Sequence, residues 1–176
     1  MYHYKIIRSK RKTISLQIND DCEIVVRAPF GVSESEIEKM VSRNADWIEK
    51  HMPIAKSRKE REDRITPELL HELSDRALVD IPPRVAKYAA IMGVEPTGIK
   101  ITTARKRFGS CSGRNSLCFS CLLMLYPSEA VDSVVVHELA HIRHHNHSPA
   151  FYDFILSVMP DYRERERILK RPPDIR

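Results

Sequence analysis

Apolar and polar residues alternate strictly over Thr13-Ile14-Ser15-Leu16-Gln17-Ile18, and Glu23 to Ala28 is again built largely of β-formers. Asn19-Asp20-Asp21 between them carries turn chemistry, so the pair predicts a hairpin, with a further strand over Tyr2 to Ile7. The period then lengthens. Ile37, Met40, Val41, Ala45 and Ile48 recur at helical spacing behind Ser33 and Glu36, which stand three apart as a capping box does. This predicts one helix from Ser33 to about His51.

Between Lys56 and Arg64, eight of nine residues are charged and none is apolar. Such a stretch is either a solvated connector or the exposed end of a helix, and it marks the expected boundary between a lobe over 1–64 and a domain over 65–176. Thr66 and Pro67 fit the N-cap and N1 positions of a helix carrying Leu69, Leu70, Leu73, Ala77 and Leu78 on one face. Pro82-Pro83 is expected to interrupt it, with a second helix ending at Gly93. Ile99 to Thr103 alternates, Leu117 to Leu123 is mostly apolar, and the turn-rich Gly109 to Asn115 lies between, predicting a second, small antiparallel sheet. Pro127-Ser128 opens an unusually apolar helix with Val131, Val134, Val135, Val136, Leu139, Ala140 and Ile142, which should be buried on most sides. Ser148-Pro149 begins another, with Phe151, Phe154, Ile155 and Val158 inward and Pro160 at its end. The class expected is α+β, an N-terminal hairpin and helix lobe followed by a domain whose buried helix packs on a small antiparallel sheet.

Composition narrows the setting more than the chemistry. The chain has 176 residues, 42% of them hydrophobic, enough to bury a core. No apolar run resembles a signal segment or approaches the roughly 18 residues of a membrane span, which leads to the expectation of a cytoplasmic protein without a membrane partner. Four cysteines are too few for a disulfide framework, so reduced thiols are expected. A net charge of +5 arises from 29 basic against 24 acidic residues, a mixed surface and not a polycation.

The chemistry concentrates in His137-Glu138-Leu139-Ala140-His141. Histidines at i and i+4 project from one helical face with Cβ atoms about 6 Å apart, close enough to share one tetrahedral metal. Glu138 is displaced from that axis, where a carboxylate can accept a proton from water without occupying a coordination position. The competing reading is an ordinary surface helix, and the flanking valines argue against it, because buried His and Glu need a partner or a metal. A hydrolytic zinc keeps three protein ligands, so a third is required. His147 is the choice: from His137 it reproduces the spacing H-E-x-x-H-x-x-G-x-x-H, with His144 where the glycine would be. Asn146 is expected in the left-handed conformation to return the chain toward the metal. His144 and His145 read as a solvated helix end, and Glu164 or Glu166 is the alternative third ligand. His71-Glu72-Leu73-Ser74-Asp75 lacks the second histidine and reads as exposed, while Cys118 and Cys121, three apart in a strand, point to opposite faces.

These segments together resemble a known family. Arg107-Phe108-Gly109-Ser110-Cys111-Ser112, Val134 to His141, Asn146-His147-Ser148 and Met159-Pro160-Asp161-Tyr162 are similar to the YgjP-like predicted metal-dependent hydrolases, relatives of SprT-type zinc peptidases. Arg11 to Leu16 and Val26-Arg27-Ala28-Pro29 extend the resemblance over nearly the whole chain, with Phe108 and Ser133 standing where the family often has tryptophan and tyrosine. The resemblance implies a zincin-like domain with one Zn2+ per chain on His137, His141 and His147, and Glu138 as the catalytic base.

Three functions compete. The leading one is hydrolysis of peptides, with an edge strand over 117–123 aligning the substrate. The second is hydrolysis of an anionic small molecule such as a nucleotide phosphoanhydride, with Arg105 and Arg107 sharing one strand face beside Ser110 as the anion site. The third is a zinc-containing nucleic-acid adaptor that uses Arg8, Lys10, Arg11 and Lys12.

Overall fold

A computed structural model describes residues 2–173 and 175, and divides the chain into two compact units, 1–65 and 66–176. In the first, β1 (Tyr4–Ser9), β2 (Ser15–Ile18) and β3 (Ile24–Pro29) form a sheet in the order β1-β3-β2. The predicted hairpin is β2–β3, antiparallel from Ser15 opposite Arg27 to Ile18 opposite Ile24, but β1 crosses over to run parallel to β3. Ile24, Val26 and Ala28 project from the sheet onto Ile37, Val41 and Ile48, which makes the lobe's core.

The helical stretch that follows is two helices where the periodicity predicted one. The capping box of Ser33 and Glu36 opens α1 (Glu34–Arg43), which stops at Asn44, whose side chain donates to the carbonyl of Met40. From there α2 (Ala45–Asp63) continues straight through Pro53 and the charged stretch. Lysine, arginine and glutamate are good helix formers, and Arg58 and Lys59 pair with Asp20 and Asp21 on the hairpin turn. The charged segment is therefore the exposed helix end and not a connector.

In the second unit, α3 (Pro67–Met92) runs unbroken through Pro82 and Pro83, against expectation. Its buried stripe of Leu73, Ala77, Ile81, Val85, Tyr88, Ala89 and Met92 keeps one phase across the prolines. The carbonyls that lose partners there belong to Leu78 and Val79, 58% and 77% exposed, so the freed acceptors lie on the solvent face while packing holds the other. Gly93, at φ 62°, ends the helix in the left-handed conformation.

Strands β4 (Gly98–Thr102), β5 (Gly109–Cys111) and β6 (Ser116–Ser120) form a sheet in the order β4-β6-β5. It is mixed, not antiparallel: β5 and β6 make the hairpin, and β4 pairs with β6 in parallel. The chain after β6 turns at once into a 3-10 segment, Cys121–Leu125. The run 117–123 thus begins as the central strand, which offers no free edge; the outer strands are β4 and β5. Of the helices that follow, α4 (Ser128–Arg143) packs against β5, and α5 (Pro149–Val158) and α6 (Tyr162–Leu169) pack on α4. No helix among the described residues is long and apolar enough to cross a membrane.

Asp132 on α4 ties three helices together. Its carboxylate accepts from Arg84 Nη1 at 2.6 Å and from the Tyr88 hydroxyl at 2.9 Å, both on α3, and pairs with Arg165 of α6 at 3.8 Å. With the Asp132 side chain 15% exposed, these are not surface pairs that water can replace. Asp132→Ala should therefore cost about 2 kcal/mol, seen as a lower urea midpoint by circular dichroism. A loss below about 0.5 kcal/mol would mean that the network adds no more than an exposed ion pair.

Candidate metal centre

Helix α4 buries Ala130, Val131, Ser133 to Val136 and Glu138 to Ala140, as its run of valines predicted. His137 and His141 face the remaining partly open side. The chain leaves the helix at His144 in an extended conformation and returns His147 beneath them. Asn146 does not take the left-handed conformation expected of it, since the described non-glycine residues with positive φ are Cys22 and Asn115. A cap in the β region and proline at the start of α5 make the reversal instead.

One ring nitrogen from each of His137, His141 and His147 lies within 4.8 Å of the other two, and Nε2 of His137 and Nε2 of His147 are 3.1 Å apart. Two of the rings are oriented from behind. Nδ1 of His137 meets the hydroxyl of Tyr162 at 2.8 Å, and Nδ1 of His141 meets the carbonyl of His144 at 3.1 Å. A carbonyl can only accept, so His141 carries its proton on Nδ1 and leaves Nε2 free as a lone-pair donor. The buried Tyr162 hydroxyl, whose ionisation burial opposes, can accept the Nδ1 proton of His137 with the same result. Desolvation, reinforced by His141 and His147, pushes the His137 imidazole down to about 4, so it is neutral at ordinary pH. Below them Phe151, fully buried, packs against all three rings at centroid distances of 5.0, 4.6 and 4.9 Å.

Glu138 is 6% exposed. Burial drives its carboxyl up to about 7, against the opposing charge of Arg107. It lines a cavity of about 190 Å3 with Phe108, Gly109, His137, Tyr162 and Leu169. A triad of imidazole nitrogen donors with an apolar floor suits zinc, whose tetrahedral ligands at about 2.0–2.1 Å stand about 3.3 Å apart.

The family model described as YgjP-like, metallopeptidase domain matches residues 12–76 and 53–172. The chain belongs to that family. Among solved structures, the metallopeptidase zymogen of Pyrococcus abyssi abylysin is 20% identical with a TM-score of 0.46, over 50% of this chain and 90% of that one. That of Methanocaldococcus jannaschii jannalysin is also 20% identical at a TM-score of 0.46, over 52% and 95%. No curated protein matches.

In this YgjP-like chain the other candidate ligands from the sequence lie outside the three-histidine cluster, although Glu166 lines the same cavity as Glu138 and His137. His144 packs edge-on against Phe154, and Glu166 pairs with Arg163 at 3.7 Å; neither they nor His145 and Glu164 belong to the three-histidine cluster. His71 and Asp75 are exposed, as expected. Arg105, Lys106 and Arg107 occupy a bent loop between β4 and β5, not a strand, so the alternation that would put both arginines on one face does not apply. Arg107 is the member whose charge reaches Glu138. Strand alternation turns Ser110 to the face opposite Gly109, and it is Gly109 that abuts Glu138.

Tyr162 and Phe151 were read from the sequence only as part of a motif and as core. Contacts spanning 25 positions, such as Tyr162 to His137, leave no periodic trace. Tyr162→Phe should weaken metal binding by roughly ten- to a hundredfold in a chelator competition, because the Nδ1 proton of His137 loses its acceptor. An unchanged affinity would show that Phe151 alone orients the ring.

Proposed function

We propose that this protein is a zinc-dependent peptidase in which His137, His141 and His147 hold one metal ion and Glu138 is the general base. The observation that carries the reading is the convergence of three imidazole nitrogens within 4.8 Å beside a buried carboxylate. When bound, zinc supplies a Lewis acid that acidifies water and polarises the scissile carbonyl.

The chain's own residues do the rest. Glu138, whose carboxyl is pushed up by burial, accepts a proton from the attacking water on a carboxylate oxygen and returns it to the leaving amine. Tyr162 and the carbonyl of His144 keep two imidazoles in the tautomer that presents Nε2. Strand β5 pairs on one side only, so its open edge can align an extended peptide, a role the central β6 cannot fill.

Arg107 supports a second reading, hydrolysis of an anionic substrate such as a phosphoanhydride, because a guanidinium acting on Glu138 stands where a phosphate could be forked. The adaptor reading has lost part of its surface: Arg8 donates to the carbonyls of Pro29, Phe30 and Val32 and is committed to the fold. Peptides and nucleoside triphosphates assayed side by side separate the first two readings, and Arg107→Lys should raise KM for the anionic substrate alone.

Elemental analysis should find about one zinc per chain. Glu138→Gln should keep it while losing 10²- to 10⁴-fold in turnover, the usual contribution of a general base. His147→Ala should lose the metal. Retention in that variant, with loss in Glu164→Ala or Glu166→Ala, would replace the three-histidine set by a glutamate-containing one.

A further inference from the structure

We propose that Gly109 is a positioning residue for Glu138: the carboxylate can stand where it does only because the strand beside it carries no side chain. The inference rests on the reading of Glu138 as the base. A Cβ built at Gly109 would lie 2.6 Å from Glu138 Oε1, 2.7 Å from Cγ and 2.8 Å from Cδ. All three are far inside van der Waals contact, and all belong to one side chain. The backbone itself does not demand glycine here. Its φ lies outside the left-handed region, so the backbone would accept alanine, unlike that of Gly93. Around Gly31 and Gly113 a Cβ would meet nothing within 4 Å, and at Gly98 it would meet only Ser116 Oγ at an ordinary 3.8 Å. Gly109 is therefore the glycine whose missing side chain a neighbouring side chain requires.

Glu138 has little freedom to yield. It is 6% exposed and projects from a helix buried on most of its faces, so a methyl group on β5 cannot simply push it into bulk water. The space open to it is the small cavity lined by His137, Tyr162 and Leu169. A carboxylate driven there changes its rotamer while the imidazoles, tied to Tyr162, the His144 carbonyl and Phe151, keep theirs. Gly109 thus sets the base without touching the metal ligands. A glycine inside a strand often marks such a close approach, and here the approaching group is the reactive carboxylate.

The test is Gly109→Ala in two backgrounds. In the parent it should leave zinc content intact, lower kcat at least tenfold with little change in KM, and lower the thermal midpoint by about 5 °C. In Glu138→Ala, where the added methyl enters the space the carboxylate vacates, it should cost nothing in thermal midpoint. An equal fall in both backgrounds overturns the proposal, because the glycine would then serve the strand and not Glu138. So does full turnover by Gly109→Ala while Glu138→Gln is inactive. An active Glu138→Gln would instead sink the reading of Glu138 as base, and the thermal cycle would still report the contact. If Gly109→Ala alone does not fold, recovery of a folded protein in the double variant supports the proposal and failure to recover overturns it.

Discussion

Helix α4 is buried on nearly every face, and it carries the polar groups that chemistry requires. That conflict organises the second unit. A buried polar side chain is costly without a partner, and those of this helix find theirs within it, at its end or on another element. Ser133 satisfies itself by donating to the carbonyl of Ala130. His137 needs Tyr162 from α6, and His141 needs the carbonyl of His144 at its own helix end. Glu138 has burial working against its charge, which places its carboxyl near 7 and leaves it able to take up and release a proton.

The elements around α4 are held as this arrangement demands. Asp132, more than one turn before His137, links α3 and α6 to the helix, and Arg165 in turn bonds Asp161, the residue before Tyr162. Phe151 enters from α5 as an apolar floor that fixes three rings at once. Strand β5 comes close enough to Glu138 that only glycine fits. Each contact acts on orientation, and a metal site depends on orientation as much as on ligand identity.

What could be read in the sequence was local. The i, i+4 histidines with glutamate between, the run of valines and the capping box at Ser33 are patterns within one turn or one helix, and α4 and α1 follow them. Errors arose where tertiary packing outweighed local preference. Pro82-Pro83 sits inside α3 because a seven-residue buried stripe outweighs two lost backbone bonds on the solvent face. The direction of β1 and β4 is set by distant pairing, and no alternation of residues encodes it. Arg105 and Arg107 looked like strand because their neighbours did, yet they lie in a loop. Phe151, Tyr162 and Gly109 were visible as a core residue, a motif member and a turn residue; their bearing on the histidines and Glu138 depends on contacts between elements far apart in the chain.

The central proposal is a three-imidazole zinc site, and zinc-edge X-ray absorption on the metal-loaded protein addresses it directly. The account predicts three nitrogen scatterers at about 2.0–2.1 Å with imidazole multiple scattering, one further light atom, and no sulfur near 2.3 Å. A spectrum fitted by two imidazoles with a protein carboxylate, or by any thiolate from Cys111 or Cys118, would contradict it.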